Sequence, residues 1–125
     1  MVTRQPLPSH QEDHQRRPSE AERILRALGI TGKLIGFRYT IYMIEQVAED
    51  PDRIQLITKR LYPETASRFG TSPVSVERSL RSLIRNQWEK GNRSILEGIA
   101  GARLSQRPTN TEFVDMLAGY LRNMH

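Results

Sequence analysis

Three arginines whose spacing matches one face of a helix are the residues that best indicate a chemistry. Arg78, Arg81 and Arg85 lie three and four positions apart, so on a helix their guanidinium groups point the same way. The other face of that helix is apolar and consists of Val76, Leu80, Leu83, Ile84 and Trp88. A guanidinium binds guanine edges and phosphates, so a helix with one buried and one arginine face suits the DNA major groove. A solvated amphipathic helix without a ligand is the alternative.

Local signals place this helix at about 72–90, directly after a turn. Gly70 supplies the turn, either of the next two residues can cap the helix, and Pro73 fits its first turn. Gly91 ends the helix. Because a shorter helix is predicted at 63–69, just before the turn, the two helices together form a predicted helix-turn-helix.

The net charge of +5 is concentrated on this segment. Residues 53–93 contain nine Lys or Arg against three acidic residues, whereas the rest of the chain is close to neutral. Sixteen of the nineteen basic residues are arginine, which forms paired hydrogen bonds with phosphates and guanine. This distribution is typical of a protein that binds nucleic acid.

The composition argues against an enzyme, a cofactor site and a membrane protein. The chain has no cysteine, and its three histidines lie at positions 10, 14 and 125. It has no Gly-rich phosphate loop, paired-carboxylate spacing or metal motif, so we predict neither catalysis nor a bound metal or cofactor. No apolar run is long enough to cross a membrane, and we expect a cytoplasmic, nucleoid-associated protein.

The rest of the pattern is all-helical and predicts a single domain of about six helices at 19–125, after a disordered N-terminal arm at 1–18. The helices are expected to begin near Ser19, Thr31, Pro63, Ser72, Ser94 and Thr109. A short helix or bend is expected at 57–62. Capping boxes are predicted for Ser19 with Glu22 and for Thr109 with Glu112. Helical spacing also assigns five aromatic side chains to the core, namely Phe37, Phe69, Trp88, Phe113 and Tyr120.

Four segments, in order, resemble a known family of DNA-binding domains. They are 36–39 (Gly-Phe-Arg-Tyr), 57–63 (Ile-Thr-Lys-Arg-Leu-Tyr-Pro), 76–81 (Val-Glu-Arg-Ser-Leu-Arg, followed by Trp88 and Gly91) and 108–113 (Pro-Thr-Asn-Thr-Glu-Phe). Their types and spacing resemble the C-terminal effector domain of the sporulation-initiation response regulator of endospore-forming bacteria. The resemblance covers roughly residues 24–122.

The resemblance implies an all-helical domain whose helix-turn-helix reads a short promoter element in duplex DNA as a dimer. By position, it implies that Glu77, Arg78 and Arg81 are contacts of the recognition helix, and that Lys59 and Ser72 contact the DNA backbone. Arg85 lies a turn further along the helix and is expected to meet the backbone.

Three departures from the family pattern affect this prediction. The family has an arginine at a base-reading position that is Ser75 here, so the target sequence is expected to differ. The segment 92–108 is shorter, which would alter the dimer contact region. The family's regulator carries a phosphorylatable receiver domain ahead of the effector, and residues 1–18 are too few to form one. We therefore expect a free-standing effector domain, or one controlled by another chain or by its own abundance.

The leading hypothesis is thus a sequence-specific DNA-binding transcription regulator. The alternative is a protein-interaction module that pairs with, or modulates, a full-length regulator without reading DNA itself. Salt dependence separates the two, because binding through several phosphates weakens steeply as salt increases.

Overall fold

Residues 18–124, the part of the chain that the computed structural model describes, contain six α-helices and no strand. The helices are α1 (Glu20–Ala27), α2 (Phe37–Glu49), α3 (Tyr62–Phe69), α4 (Pro73–Lys90), α5 (Arg93–Ala100) and α6 (Asn110–Asn123). A 3₁₀ helix, Pro51–Leu56, and one π-helical turn, Ile57–Leu61, connect α2 to α3. The predicted all-α class and number of helices are confirmed. The predicted arm at 1–18 lies outside the described residues, apart from position 18.

The core lies between α2 and α6, which pack along each other, and it is closed by α1, α3 and α4. Side chains from each of these helices are almost completely buried, among them Leu25, Phe37, Ile44, Ala66, Leu80 and Leu117. They recur at the three- and four-residue spacing of amphipathic helices, which is why burial of one stripe on each helix produces a single core.

Side-chain caps fix the beginnings of several helices. The Thr109 hydroxyl accepts a hydrogen bond from the Glu112 amide at 3.1 Å, and the Glu112 carboxylate accepts one from the Thr109 amide at 2.9 Å, as predicted. Ser19 likewise accepts from the Glu22 amide at 3.2 Å. Instead of completing a second capping box, the Glu22 carboxylate accepts hydrogen bonds from the guanidinium groups of Arg26 and Arg38.

The second helix begins at Phe37, six residues later than the predicted start at Thr31. Residues 31–36 form turns, in which the Leu34 carbonyl accepts from the Phe37 amide at 3.0 Å. Gly36 then caps α2 with its backbone only, and its carbonyl accepts from both the amide and the hydroxyl of Thr40. The glycine-containing loop is held by these turns rather than by helical hydrogen bonds, so the helix is shorter than its apolar spacing predicts.

Two aromatic side chains predicted to be buried lie at the surface. Phe69 is 37% exposed and Tyr120 is 42% exposed. The Phe69 ring packs against Tyr39 and Tyr42, with ring centroids 5.2 Å and 5.9 Å apart. Both residues occupy the edge of an apolar stripe, where helical spacing alone cannot separate a core side chain from one at its border.

Trp88 packs against the core but keeps part of its ring accessible, so its predicted position as a core anchor is only partly correct. The Arg93 guanidinium carbon lies 3.3 Å from the centre of its ring, and this arginine also donates to the Trp88 carbonyl oxygen. The exposed part of the indole is therefore covered by a cation at the junction of α4 and α5.

Among the described residues, no helix combines the length and the apolar character that a membrane span requires.

Candidate nucleic-acid interface

A three-residue turn, 70–72, joins α3 to α4. Gly70 adopts the left-handed conformation, with φ 68° and ψ 39°, which an L side chain adopts at a steric cost. The amides of Gly70 and Thr71 both donate to the Ala66 carbonyl, so the last turn of α3 is closed. Ser72 then caps α4, because its hydroxyl accepts from the Ser75 amide at 3.1 Å. The turn, cap and bounds of α4 agree with the prediction.

The buried face of α4 consists of Val76, Leu80, Leu83, Ile84 and Gln87. The middle of the helix rests on the start of α2. A Cβ at Gly36 would lie 2.7 Å from the Ser79 carbonyl oxygen and 3.1 Å from the Ser79 Cβ, so only glycine allows this approach. The two backbones therefore touch, which fixes the depth at which α4 sits on the domain.

Two amides fix the ends of α4 to other elements. The Asn110 side chain donates to the Glu77 carbonyl at 3.2 Å and to the Tyr62 hydroxyl at 3.1 Å, and it thereby joins α6, α4 and α3. At the other end, the fully buried Gln87 donates to the Leu28 carbonyl at 3.2 Å. Together with the Gly36 contact, these bonds hold α4 at three points along its length.

The opposite face of α4 carries the three predicted arginines. The side chains of Arg78, Arg81 and Arg85 are all exposed. At about 100° per residue they fall within roughly 60° of one another around the helix axis. Arg81 pairs with Glu77 at 2.8 Å, as their spacing predicts, and the two side chains are 53% and 42% exposed. Within residues 18–124, neither Arg78 nor Arg85 forms an ion pair.

The other predicted contacts border this face. The hydroxyls of Ser72 and Ser75 share a hydrogen bond of 3.0 Å, and both side chains are exposed at the start of α4. Lys59 is exposed on the π-helical turn, whose next residues lead into α3. The structure thus brings Ser72, Ser75, Arg78, Arg81 and Arg85 onto one helix, and it places Lys59 on a separate element.

Part of the basic excess is neutralised within the domain. Arg53 and Arg60 both pair with Glu64. Arg68 lies over the rings of Tyr42 and Phe69, with its guanidinium carbon 5.1 Å and 5.9 Å from their centres. These three cations therefore have partners away from α4, whereas Arg78 and Arg85 on α4 form no ion pair within residues 18–124.

Burial of the Tyr62 side chain raises the pKa of its hydroxyl above the ordinary value of 10.0, and the nearby Glu77 carboxylate acts in the same direction. The hydrogen bond from Asn110 and the charge of Arg81 oppose this rise without cancelling it. The hydroxyl therefore stays neutral at ordinary pH and remains an acceptor for Asn110.

Sequence reasoning did not detect the tertiary roles of Asn110 and Gly36. Thr109 is the cap of α6, and Asn110 reaches partners 33 and 48 positions away. The small Ser79, between two larger residues of α4, is the one local signal that could have indicated the close approach of another backbone.

An all-helical domain in which two helices meet at a tight turn, with an exposed arginine face on the second, defines a class of helical DNA-binding domains. The comparison with protein families is more specific. The model of the family described as "Sporulation initiation factor Spo0A C terminal" matches residues 21–121. The chain therefore belongs to this family, which is a family of DNA-binding effector domains of transcription factors and not one of enzymes.

Proposed function

We propose that this protein is a sequence-specific DNA-binding transcription regulator that places α4 in the major groove. In this proposal Arg78 and Arg81 contact base edges, and Glu77 orients Arg81 and accepts from a cytosine amine. Family membership supports DNA binding in general, and the exposed arginine face supports this particular helix. Such a protein would act at the nucleoid in the cytoplasm.

The observation that carries the proposal is the division of α4 into two faces. One face is held by buried side chains and by the Gly36 contact, so its position relative to the domain is fixed. The other face presents three arginines of which Arg81 alone has an ion pair within the described residues. A rigidly held helix with unpaired guanidinium groups is preorganised to bind an anionic, hydrogen-bonding surface such as the major groove.

The magnitudes favour DNA over the internal ion pair as the partner of Arg81. An exposed i,i+4 pair such as Glu77–Arg81 contributes only about 0.2–0.5 kcal/mol. A paired contact of an arginine with guanine contributes about 1–3 kcal/mol of discrimination. The pair can therefore adjust at small cost when a base edge is offered, and the Glu77 carboxylate has enough acceptor sites to orient Arg81 and also accept from a cytosine amine.

The remaining predicted contacts have supporting roles in the proposal. Ser72, Arg85 and Lys59 contact phosphates around α4. Ser75 replaces the arginine that the family has at this position, and its hydroxyl stays within the first turn because it bonds to Ser72. We therefore propose that the target element differs from that of the family at the base pair facing Ser75.

An apolar cleft on another side of the domain supports a second candidate, a protein-interaction module. It lies between α1, α5 and α6, and its apolar lining includes Ile24, Ile95, Ile99, Tyr120 and Met124. Tyr120 and Met124 are 42% and 48% exposed, which suits contact with a second copy of the chain or with a full-length regulator. Such pairing can accompany DNA binding as a homodimer or replace it as a heterodimer.

Selection of duplexes from a random-sequence pool tests the proposal directly. The purified chain is expected to enrich a short motif, and the Arg78→Ala/Arg81→Ala variant is expected to lose that enrichment. The matched control is Arg23→Ala/Arg103→Ala, which removes the same charge from exposed arginines that do not lie on α4. The control should enrich the same motif as the unchanged protein.

Two outcomes would contradict the proposal. If no motif is enriched, the protein is not a sequence-specific reader, and the interaction module becomes the better candidate. If both double variants bind DNA equally well, the arginine face of α4 is not the contact surface.

A further inference from the structure

A cleft runs beside α4, on the flank that carries Glu77 and Arg81. Its first wall is α4, its second is the π-helical turn with the start of α3, and its third is the loop that leads into α6 together with the first residues of that helix. Thr58 lines the second wall, and Arg107 and Thr111 line the third. The cleft thus brings together two arginines that are 26 positions apart in the chain.

The charges around the cleft are unequal. Glu77 is the only acidic side chain among the lining residues of the described structure, and it is already paired with Arg81. Arg107 is exposed and forms no ion pair within residues 18–124. The nearby Glu112 carboxylate accepts from the Thr109 amide. An anion that enters the cleft would therefore meet the free guanidinium of Arg107.

The position of the cleft relative to α4 indicates which anion this is. A helix is about 10–12 Å wide with its side chains, and the major groove is about 12 Å wide, so a helix in the groove has a phosphate strand along each flank. Of the two arginines proposed to contact bases, Arg78 lies away from the cleft and Arg81 lines it. The cleft lies on the Arg81 flank, and its far wall, with Arg107, extends the domain toward the strand on that side.

We infer that Arg107 is a DNA-backbone contact, which binds a phosphate of the strand flanking α4 on the Arg81 side, with the Thr58 and Thr111 hydroxyls as neighbouring donors. The inference rests on the proposed function, since it requires α4 to occupy the major groove. A guanidinium binds a phosphate through two parallel hydrogen bonds. The loop before α6 thereby becomes part of the DNA interface, which reaches beyond the helix-turn-helix.

The experiment compares Arg107→Ala with Arg103→Ala in the full chain. Both arginines are exposed and lie in the same loop, but Arg103 lines a different cleft, against α5 and the far part of α6. Affinity is measured from 50 to 200 mM KCl for the selected duplex and for an unrelated duplex of equal length. A plot of log K against log salt has a negative slope. Arg107→Ala should make this slope less steep by about 0.9, the value for one phosphate contact.

Because a phosphate carries no base information, Arg107→Ala should weaken binding to both duplexes by the same factor. Arg107→Lys should retain most of the slope, since it keeps the charge and loses only the paired geometry. The Arg103→Ala slope should equal that of the unchanged protein. The thermal midpoints of all three variants serve as the check on folding and should not differ.

Four outcomes would overturn the inference. Equal slopes for Arg107→Ala and Arg103→Ala would show that Arg107 does not contact a phosphate. A loss confined to the selected duplex would show that Arg107 reads a base. If the unchanged protein binds neither duplex, the inference and the proposed function are both overturned. If Arg78→Ala/Arg81→Ala loses binding but Arg107→Ala has no effect, the inference alone is overturned.

Discussion

Replacement of Asn110 by alanine tests how α4 is held in place. The Asn110 amide is half-buried and donates to the Tyr62 hydroxyl at 3.1 Å and to the Glu77 carbonyl at 3.2 Å. It is the first residue of α6, but Thr109 supplies the cap, so capping survives the change. Asn110→Ala therefore removes two tertiary hydrogen bonds without removing the helix start.

The expected loss of stability follows from the state of the two acceptors. Each hydrogen bond contributes about 0.5–1.5 kcal/mol net, which gives a range of about 1–3 kcal/mol for both. The Glu77 carbonyl lies inside α4, where the ordinary helical bond from the amide four residues on remains, so only its second lone pair loses a partner. The loss should thus fall in the lower half of the range, at about 1–2 kcal/mol.

Urea unfolding of the full chain measures this loss. Asn123→Ala is the matched control, because Asn123 is an exposed asparagine at the other end of the same helix and gains the same helix propensity on replacement. A double-mutant cycle of Asn110→Ala with Tyr62→Phe isolates one of the two bonds, and its coupling free energy should be about 0.5–1.5 kcal/mol.

Two results would refute this reasoning. If Asn110→Ala and Asn123→Ala change the free energy of unfolding equally, the bridge does not stabilise the fold. If Asn110→Ala destabilises but the Tyr62→Phe cycle shows no coupling, the loss comes from another source, and the hydrogen bond to the Tyr62 hydroxyl carries none of it.

Three further changes test other parts of the fold. Gly36→Ala places a Cβ 2.7 Å from the Ser79 carbonyl oxygen and should lower the free energy of unfolding in urea by about 1–3 kcal/mol, whereas Gly98→Ala, whose Cβ meets no atom within 4 Å, should not lower it. Gly70→Ala forces an L side chain into the left-handed region and should cost about 1–2 kcal/mol in the same assay. Desolvation raises the pKa of Glu22, but its hydrogen bonds and charge attraction to two arginines outweigh this, so the net pKa lies below 4.5. The charged form therefore stabilises the fold above pH 4.5. The difference in free energy of unfolding between the unchanged protein and Glu22→Gln should shrink as the pH falls below that value. A difference that does not change between pH 7 and pH 3 would contradict this.

The features of α4 that could be predicted from the sequence are those set by neighbouring residues. The cap at Ser72, the proline after it and the glycine after Lys90 are local signals, and the helix has the bounds they indicate. The Glu77–Arg81 pair follows from its spacing in the same way. The arginine face could therefore be recognised before the structure was known.

The features that could not be predicted depend on contacts between distant segments. The start of α2 at Phe37 follows from how the loop 31–36 turns and packs, and Gly36 touches α4 more than forty positions away. The bridge made by Asn110 needs α3, α4 and α6 to be in place together. Local patterns contain no information on such contacts, so they predicted the exposed arginines of α4 but not the contacts that hold the helix in place.

The charge arrangement around Glu22 on α1 differs from that on the exposed face of α4. The Glu22 carboxylate there binds both Arg26 and Arg38, each at 2.9 Å. Glu22 is also shielded, since its side chain is only 13% exposed. The exposed face of α4 carries three arginines with Glu77 and Glu89, and of these arginines only Arg81 forms an ion pair within residues 18–124.

The three arginines of α4 therefore contribute little to the stability of the folded protein. Arg78 and Arg81 are three positions apart, Arg81 and Arg85 are four apart, and like charges at these spacings destabilise a helix by a few tenths of a kcal/mol each, about as much as the Glu77 pair restores. A ligand that neutralises such a face offsets the repulsion between its arginines. Residues at binding surfaces commonly lower the stability of the free protein in this way. It follows that removal of the arginines should leave the free energy of unfolding unchanged or slightly higher while DNA binding is lost, whereas removal of the contacts on the opposite face should lower both.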